Sequence, residues 1–321
     1  MRAALSIRDH TMSLPRPGAL PAWLLPAAFV LLAGAAPWLS DYLLETGFRL
    51  LLLMTLAEAW NLMAGYAGMV SLGTASFFGV GAYVLVGLVN ATGAPLPVAF
   101  LAAGLAGALM AVLLSRAVLR LRGLYFTVGT FAMSEALRLF MINYGGFGGA
   151  SGWFLQVDPP QARGLYWLAL GLFALTTLCM TVITRSRVSI LLRAVRDDED
   201  AAAQIGIKPF RIKLLAFVIA SVLTSLAGAL QGLKLGAIEP YGTFGMAWTV
   251  NVLSIVLIGG QGLRAGPVIG TLFIVALSEW LADYPALHLA FTGLVLIVVI
   301  RFAPKGIAGL LSQVFAKGAR S

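Results

Sequence analysis

The sequence predicts an all-α fold, a polytopic transmembrane helical bundle of about eight to ten spans with broken or re-entrant glycine-rich segments. Three observations carry this prediction. The chain is 60% hydrophobic and only 11% charged, and its mean hydropathy is +0.93. It also contains many apolar runs close to the roughly 20 residues that a helix needs to cross a bilayer. This composition excludes an ordinary soluble protein.

Hydropathy divides the chain into ten candidate spans, separated by short polar or Gly/Pro-rich breaks. The third and eighth are rich in glycine or unusually short, which favours a broken or re-entrant helix at each. The ten segments are 20–39, 46–64, 68–89, 97–119, 123–141, 164–184, 212–235, 246–260, 265–282 and 286–303.

These segments form one transmembrane domain, 20–303, between two tails. Residues 1–19 precede it, and the apolar run 20–39 is too long for the core of a signal peptide, so we interpret it as a retained span. Residues 304–321 predict an amphipathic tail, because apolar residues recur there at helical spacing among Lys and Arg.

Positive charge predicts the orientation. Cytoplasmic loops carry an excess of Lys and Arg, and most of the chain's 22 such residues fall on one side when both termini are placed in the cytoplasm. The remaining cations lie in or near the outer half; they are Arg49, Arg138, Arg163 and Lys234. The net charge of +9 is therefore a topology signal, and no nucleic-acid partner is expected.

The most strongly charged stretch is the predicted cytoplasmic loop 185–211. Its acids, Asp197–Asp200, suit the first turn of a short helix, where carboxylates complement the helix dipole. Alanines continue that helix, Gly206 ends it, and Pro209 opens the next one. An element of this kind can dock on another protein, although a solvated loop is the usual alternative for a charge run.

The longest outer connection, 142–163, is rich in glycine between Gly145 and Gly152. Glycine permits tight and left-handed turns, so this loop is either a gate at an entrance or a plain linker.

The sequence lacks recognisable nucleotide-binding or catalytic motifs. The sequence contains no P-loop and no dinucleotide fingerprint, and Cys179 is its only cysteine, which excludes an intrachain disulfide. We predict no catalytic residue, no metal site and no cofactor in this chain. It is not expected to be an enzyme, and if nucleotide energy is used another chain must bind the nucleotide.

Polar residues inside apolar spans are costly and normally face a bundle interior or an aqueous path. A translocation path is therefore predicted from such residues, together with one aromatic side chain that could narrow it; packing by interhelical hydrogen bonds is the alternative for each. The candidates are Glu58, Asn61, Ser71, Thr74, Phe77, Thr127, Thr130 and Ser134.

Four stretches resemble one transporter family in order and spacing. Asp200-Ala201-Ala202 followed by Gly206 resembles the EAA-type coupling loop of ABC importer permeases, with Asp in place of Glu. The strings Asn61–Tyr83, Gly123–Phe140 and Gly259–Ile274 resemble the branched-chain amino acid ABC transporter permease family, LivM type. The similarity extends from about residue 45 to residue 305.

The resemblance implies half of an importer in the bacterial inner membrane. A homologous second permease of the LivH type, two ABC ATPases of the LivG and LivF types and an extracytoplasmic binding protein are the implied partners, beside membrane lipid. The ATPases would bind ATP and Mg, and Asp200, Ala201, Ala202 and Gly206 would contact them.

One departure leaves the substrate open. Family members often have His where this chain has Thr74, so branched-chain amino acids and other hydrophobic or aromatic acids, amides or urea remain alternatives. A different class, a stand-alone secondary transporter or channel using Glu58 or Glu135, is the second hypothesis.

Overall fold

The computed structural model describes residues 29, 32–34, 36–281, 285–303 and 306–310. The predicted tail 1–19, most of the span 20–39 and most of the tail 304–321 lie outside them. Within the described residues the regular secondary structure is helical apart from one pair of two-residue strands, which confirms the all-α fold class. The helices are α1 Asp41–Asn61, α2 Thr74–Thr92, α3 Leu96–Val118, α4 Leu124–Asn143, α5 Ala162–Arg185, α6 Val188–Asp197, α7 Glu199–Gln204, α8 Pro209–Leu235, α9 Pro240–Thr243, α10 Met246–Gly259, α11 Gly266–Trp280 and α12 Pro285–Phe302.

Several of these helices are able to cross a membrane. Five helical segments of the described chain are both long and apolar enough: α2, α3, α5, α8 and Pro240–Gly259, which joins α9 to α10. Three more, α1, α4 and α12, have 21, 20 and 18 residues. At about 1.5 Å per residue their lengths approach the hydrocarbon thickness of roughly 30 Å.

Helix α8 is the centre of the bundle and packs along α2 and α3. Small residues make this close approach possible: a Cβ on Gly228 would collide with the backbone of Phe78, and one on Gly81 would collide with the backbone of Ser225. The hydroxyl of Ser225 also donates to the carbonyl of Ala103 at 2.7 Å. The small-residue stripe of α8 is therefore an intrachain packing surface.

Each of the two predicted glycine-rich segments adjoins an interruption, but the interruption lies at the end of the segment and the helix within it is continuous. After α1 the chain forms a π-helical turn, Leu62–Tyr66, and residues 67–73 are non-helical before α2 begins. The second interruption separates α10 from α11 at residues 260–265, where Gly262 has a φ of +76°. We call these the first and second helix breaks.

The loop 142–163 is held in place by the strands β1, Trp153–Phe154, and β2, Ala237–Ile238, which pair antiparallel. Asn90, near the end of α2, donates to the carbonyl of Phe154 at 2.7 Å and accepts from the amide of Gln156 at 2.9 Å. These contacts attach the loop to the ends of α2 and α8.

The bundle thus has two distinct ends. The basic end carries α6, α7 and both helix breaks. The opposite end carries the strand pair, α9, the start of α1 and the C-terminal end of α11. The predicted orientation, with the basic end in the cytoplasm, stays a prediction.

Candidate functional site

The short helix α7 forms at the acidic sequence with Asp198, Glu199 and Asp200 at its start, as predicted, whereas Asp197 ends α6. Asp198 is its N-cap, and one carboxylate oxygen accepts from the backbone amides of Asp200 and Ala201, both at 2.9 Å. This satisfies two amides that a helix start leaves without partners. Gly206, with a φ of +88°, ends the helical turn, and Pro209 occupies the first turn of α8.

Two basic side chains hold α7 against the bundle. Arg122, in the connection between α3 and α4, donates to both carboxylate oxygens of Asp200 at 3.0 Å and lies 3.5 Å from Glu199. The largely buried ammonium of Lys213, on α8, pairs with Glu199. The hydrogen bonds from Arg122 lower the pKa of the Asp200 carboxyl, and those to Asp200 raise the pKa of Arg122. Both groups therefore stay charged at neutral pH.

One predicted contact residue is turned inward. Ala202 is only 3% exposed, whereas Ala201, Ile205 and Gly206 are exposed. A one-turn helix that lies on a surface must turn one side toward it, and alanine permits the closest approach there. The predicted contact of Ala201, Ala202 and Gly206 with an ATPase stays a prediction; within it, Ala202 lies on the inner side of α7 and Ala201 and Gly206 on the outer side. Ile205, which the sequence analysis missed, is 76% exposed beside them.

Helix α6 contacts the first helix break directly. The guanidinium of Arg196 donates to the carbonyl of Gly65 at 2.9 Å and to the neighbouring Asp197 carboxylate at 2.9 and 3.0 Å. Gly68 has a φ of +71°, and a Cβ there would come within 2.5 Å of the Arg196 side chain. The charged loop and the first break are thus in contact through one arginine.

The two helix breaks are bonded to each other. The side-chain amide of Asn61 donates to the carbonyl of Leu263 at 3.1 Å, and its oxygen accepts from the amide of Gly262 at 2.8 Å. Gln261 donates to the carbonyl of Ala64 at 2.9 Å. Asn61 is almost fully buried, so here it supplies the link between the breaks.

The first break is also fixed to α4. Thr127 donates to the carbonyl of Val70 at 2.8 Å, and the hydroxyl of Thr130 accepts from the amide of Leu72 at 3.0 Å. Ser71 lies between them: its hydroxyl accepts from Gly73, and its carbonyl accepts from the Trp60 indole at 2.9 Å. Of the predicted path residues, Ser71 therefore lies within the non-helical stretch, and Thr127 and Thr130 bind it from α4.

Three more of the predicted path residues, near the first helix break and on α4, are buried. Thr74 is the first residue of α2 and Ser134 lies two turns along α4 from Thr127, with 6% and 4% exposure. The ring of Phe77 meets that of Phe217 edge to face, 5.4 Å between centroids. For Phe77 this geometry favours the core-packing alternative.

Glu58 belongs to a polar network that the sequence analysis did not assemble. Its carboxylate, 4% exposed, accepts from the hydroxyl of Thr177 at 3.3 and 3.4 Å. One α5 face continues to Thr181 and Thr184, which accept from Arg264 of the second break at 2.6 and 2.8 Å. The i, i+4, i+7 spacing of the three threonines was the available signal.

An ion pair lies on α4. Glu135 and Arg138 are 2.6 Å apart, as their spacing predicted, and Arg138 also lies over the ring of Tyr241, 5.7 Å from its centroid. Both side chains remain about a quarter exposed. Among the described residues, no three His, Cys, Asp or Glu side chains are grouped as metal ligands would be.

Comparison with known proteins agrees with this architecture. The family described as "Branched-chain amino acid transport system / permease component" matches residues 42–300. The chain is 26% identical to the high-affinity branched-chain amino acid transport system permease protein LivM of Escherichia coli (strain K12), over 87% of this chain and 73% of that protein. It covers 65% of the Salmonella typhimurium LivM, also at 26% identity.

Two further relatives match shorter stretches. The permease protein LivH of Escherichia coli (strain K12) is 32% identical over 42% of this chain and 44% of its own length. The ribose import permease protein RbsC of Bacillus subtilis is 33% identical over 25% of this chain and 24% of its own length. No solved structure matches the chain. Because the family match spans most of the sequence and the helices it covers can cross a membrane, the chain is a multi-pass membrane protein that belongs to the family of permease components of branched-chain amino acid transport systems.

Proposed function

We propose that this chain is the permease subunit of an ABC importer, forms half of the translocation path for branched-chain or other hydrophobic amino acids, and is coupled to separate ATPases through α7. The observation that carries the proposal is the fixation of α7 by Arg122 and Lys213, with Ala201, Ile205 and Gly206 exposed on its outer side.

The contacts at the basic end supply a route for this coupling. A force on α7 acts through Arg122 on the connection between α3 and α4, and through Lys213 on α8. Helix α6 carries it through Arg196 to the first break, which Asn61 joins to the second. Rigid, bonded elements of this kind move together, so displacement of α7 changes the position of both breaks.

The remaining parts of the importer belong to other chains. In this proposal a LivH-type permease completes the path, two ATPases bind ATP and Mg and dock on α7, and an extracytoplasmic protein delivers the substrate. The basic end faces the cytoplasm of the bacterial inner membrane. One relative, matched over 25% of this chain, is named for ribose import, so similarity alone does not identify the substrate.

Site-directed cross-linking tests the docking. Cys179 is the only cysteine, so a Cys179→Ser background accepts a single new thiol. Ala201→Cys and Ile205→Cys should form cross-links to an ATPase subunit in the assembled complex, and the yield should change with bound ATP. Ala91→Cys, exposed at the opposite end, is the matched control. Equal cross-linking at all three positions would contradict docking on α7.

A stand-alone carrier is the second candidate, favoured by the buried Glu58 carboxylate. Uptake of labelled leucine into proteoliposomes separates the two. The importer requires the ATPases, the binding protein and internal ATP, whereas a carrier transports through this chain alone and responds to a proton gradient. Uptake by the isolated chain without ATP would reject the importer.

A further inference from the structure

A cavity of about 400 Å³ opens at the end of the bundle that lies opposite the basic end and its coupling contacts. It lies between the first half of α1 and the parts of α8, α10 and α11 that meet it there. Neither the coupling contacts nor the helix breaks use it. Its charged lining residues are Glu45, Arg49, Lys234 and Glu279.

The charges form two loose ion pairs. Lys234 lies 3.5 Å from Glu45, and Arg49 lies 3.6 Å from Glu279. Charge-assisted hydrogen bonds are usually about 2.7–2.9 Å long, so neither pair is a close contact. One oxygen of Glu279 also accepts from the hydroxyl of Tyr42 at 2.7 Å, and the other is the one near Arg49. The formal charges of the two acidic and two basic side chains sum to zero, which favours a ligand that carries both a positive and a negative charge over a simple anion or cation.

Other lining groups extend the site. The side-chain amides of Gln231 and Asn251 face the cavity and make no hydrogen bond within the described structure. Apolar surface lies beside them from Phe48, Leu52 and Trp248. Lys234 is 5.0 Å from the centre of the Phe48 ring, which places a cation next to an apolar wall.

We propose that this cavity binds a small zwitterion with a primary ammonium, held with its anionic group at Arg49 and Lys234 and its ammonium at Glu45 and Glu279. A free α-amino acid with an apolar side chain has this chemistry, and so does the headgroup of an aminophospholipid. The proposal rests on the proposed function only in choosing leucine as the first probe. A transported amino acid would bind the permease in this cavity before it enters the translocation path.

Binding is measured on this chain co-purified with its second permease subunit, without binding protein or ATP. Nanodiscs of phosphatidylcholine and phosphatidylglycerol remove the aminophospholipid source. Tritiated L-leucine should bind saturably, and leucinamide or 4-methylpentanoate, which lack the carboxylate or the ammonium, should compete poorly. Glu45→Gln with Glu279→Gln, and Arg49→Gln with Lys234→Gln, should each weaken binding by about tenfold or more, since each loses charged contacts.

Two controls protect the result. Asp158→Asn and Arg163→Gln change exposed charges outside the cavity and should leave binding unchanged. If a double variant fails to fold, the exchange Glu45→Lys with Lys234→Glu keeps the ion pair but reverses the charges offered to the ligand, so this variant should fold and should still lose binding. Nanodiscs that contain phosphatidylethanolamine test the second source: selective retention of that lipid by the wild type, lost in the double variants, identifies the headgroup as the ligand.

Binding of neither leucine nor phosphatidylethanolamine would overturn the proposal, as would equal binding by the wild type and both double variants. ATP-driven uptake by the complete wild-type complex is measured in parallel. If the complex takes up leucine but the cavity binds no ligand, the proposed cavity site is rejected and the proposed function stands. If the complex takes up no leucine, the proposed function is rejected.

Discussion

Arg122 donates one hydrogen bond to each carboxylate oxygen of Asp200, both at 3.0 Å, and so joins the connection between α3 and α4 to the short helix α7. The two residues are 78 positions apart in the sequence. Planar guanidinium and carboxylate groups match in this two-bond arrangement, which fixes orientation as well as distance. If α7 receives force from an ATPase, this contact passes it to the membrane helices.

Replacement of Arg122 should therefore uncouple the transporter more than it destabilises the fold. Exposed ion pairs contribute little to stability, so Arg122→Gln should leave the apparent melting temperature of the complex unchanged while ATP-driven leucine uptake falls several-fold. Arg122→Lys, which keeps the charge but loses the two-bond geometry, should give an intermediate rate. Arg120→Gln, at a neighbouring exposed arginine, is the control. Equal uptake in all variants would exclude this contact from coupling.

The same contact should persist in mild acid. Arg122 lowers the pKa of Asp200 below its ordinary value of 3.8, so the stabilisation is complete above that ordinary value and is lost as the pH falls through the lower value in the folded protein. Hydrogen–deuterium exchange of α7 amides, corrected for the intrinsic pH dependence of exchange, should stay constant from pH 7 to pH 5. The Asp200→Asn variant should exchange faster throughout this range. Loosening of wild-type α7 near pH 6 would contradict the assignment.

Much of this arrangement was predictable because local sequence determines it. The capping acids, Gly206 and Pro209 determine where α7 begins and ends whatever the tertiary fold, and the Glu135–Arg138 pair follows from helical spacing. The partners of Asn61 and Glu58 could not be predicted, since Gly262 and Thr177 approach them only after distant helices pack. The inward orientation of Ala202 likewise depends on how α7 rests against its neighbours.

The small-residue contact between α2 and α8 should be intolerant of even one added methyl group. A Cβ on Gly228 would collide with the Phe78 backbone, which cannot rotate away as a side chain can. Gly228→Ala should therefore destabilise the chain by about 1–3 kcal/mol through overpacking and lower its apparent melting temperature. Gly171→Ala is the matched control, because a Cβ on Gly171 meets no atom within 4 Å. If Gly228→Ala melts no lower than Gly171→Ala, the close approach of α2 and α8 is incorrect.

The buried carboxylate of Glu58 should be needed for structure at the helix breaks and should not couple protons to transport. Both terminal nitrogens of Arg264 already donate to Thr181 and Thr184 on the same face of α5. Glu58→Gln preserves the shape of the side chain and one acceptor for Thr177 but replaces the other accepting oxygen with an amide nitrogen. We expect a lower melting temperature together with uptake that remains ATP-driven and insensitive to a proton ionophore when internal ATP is held constant. Thr177→Val, which removes only the hydroxyl, should have a smaller effect on melting. If the ionophore abolishes wild-type uptake but not the residual uptake of Glu58→Gln, Glu58 carries protons and the stand-alone carrier becomes the better assignment.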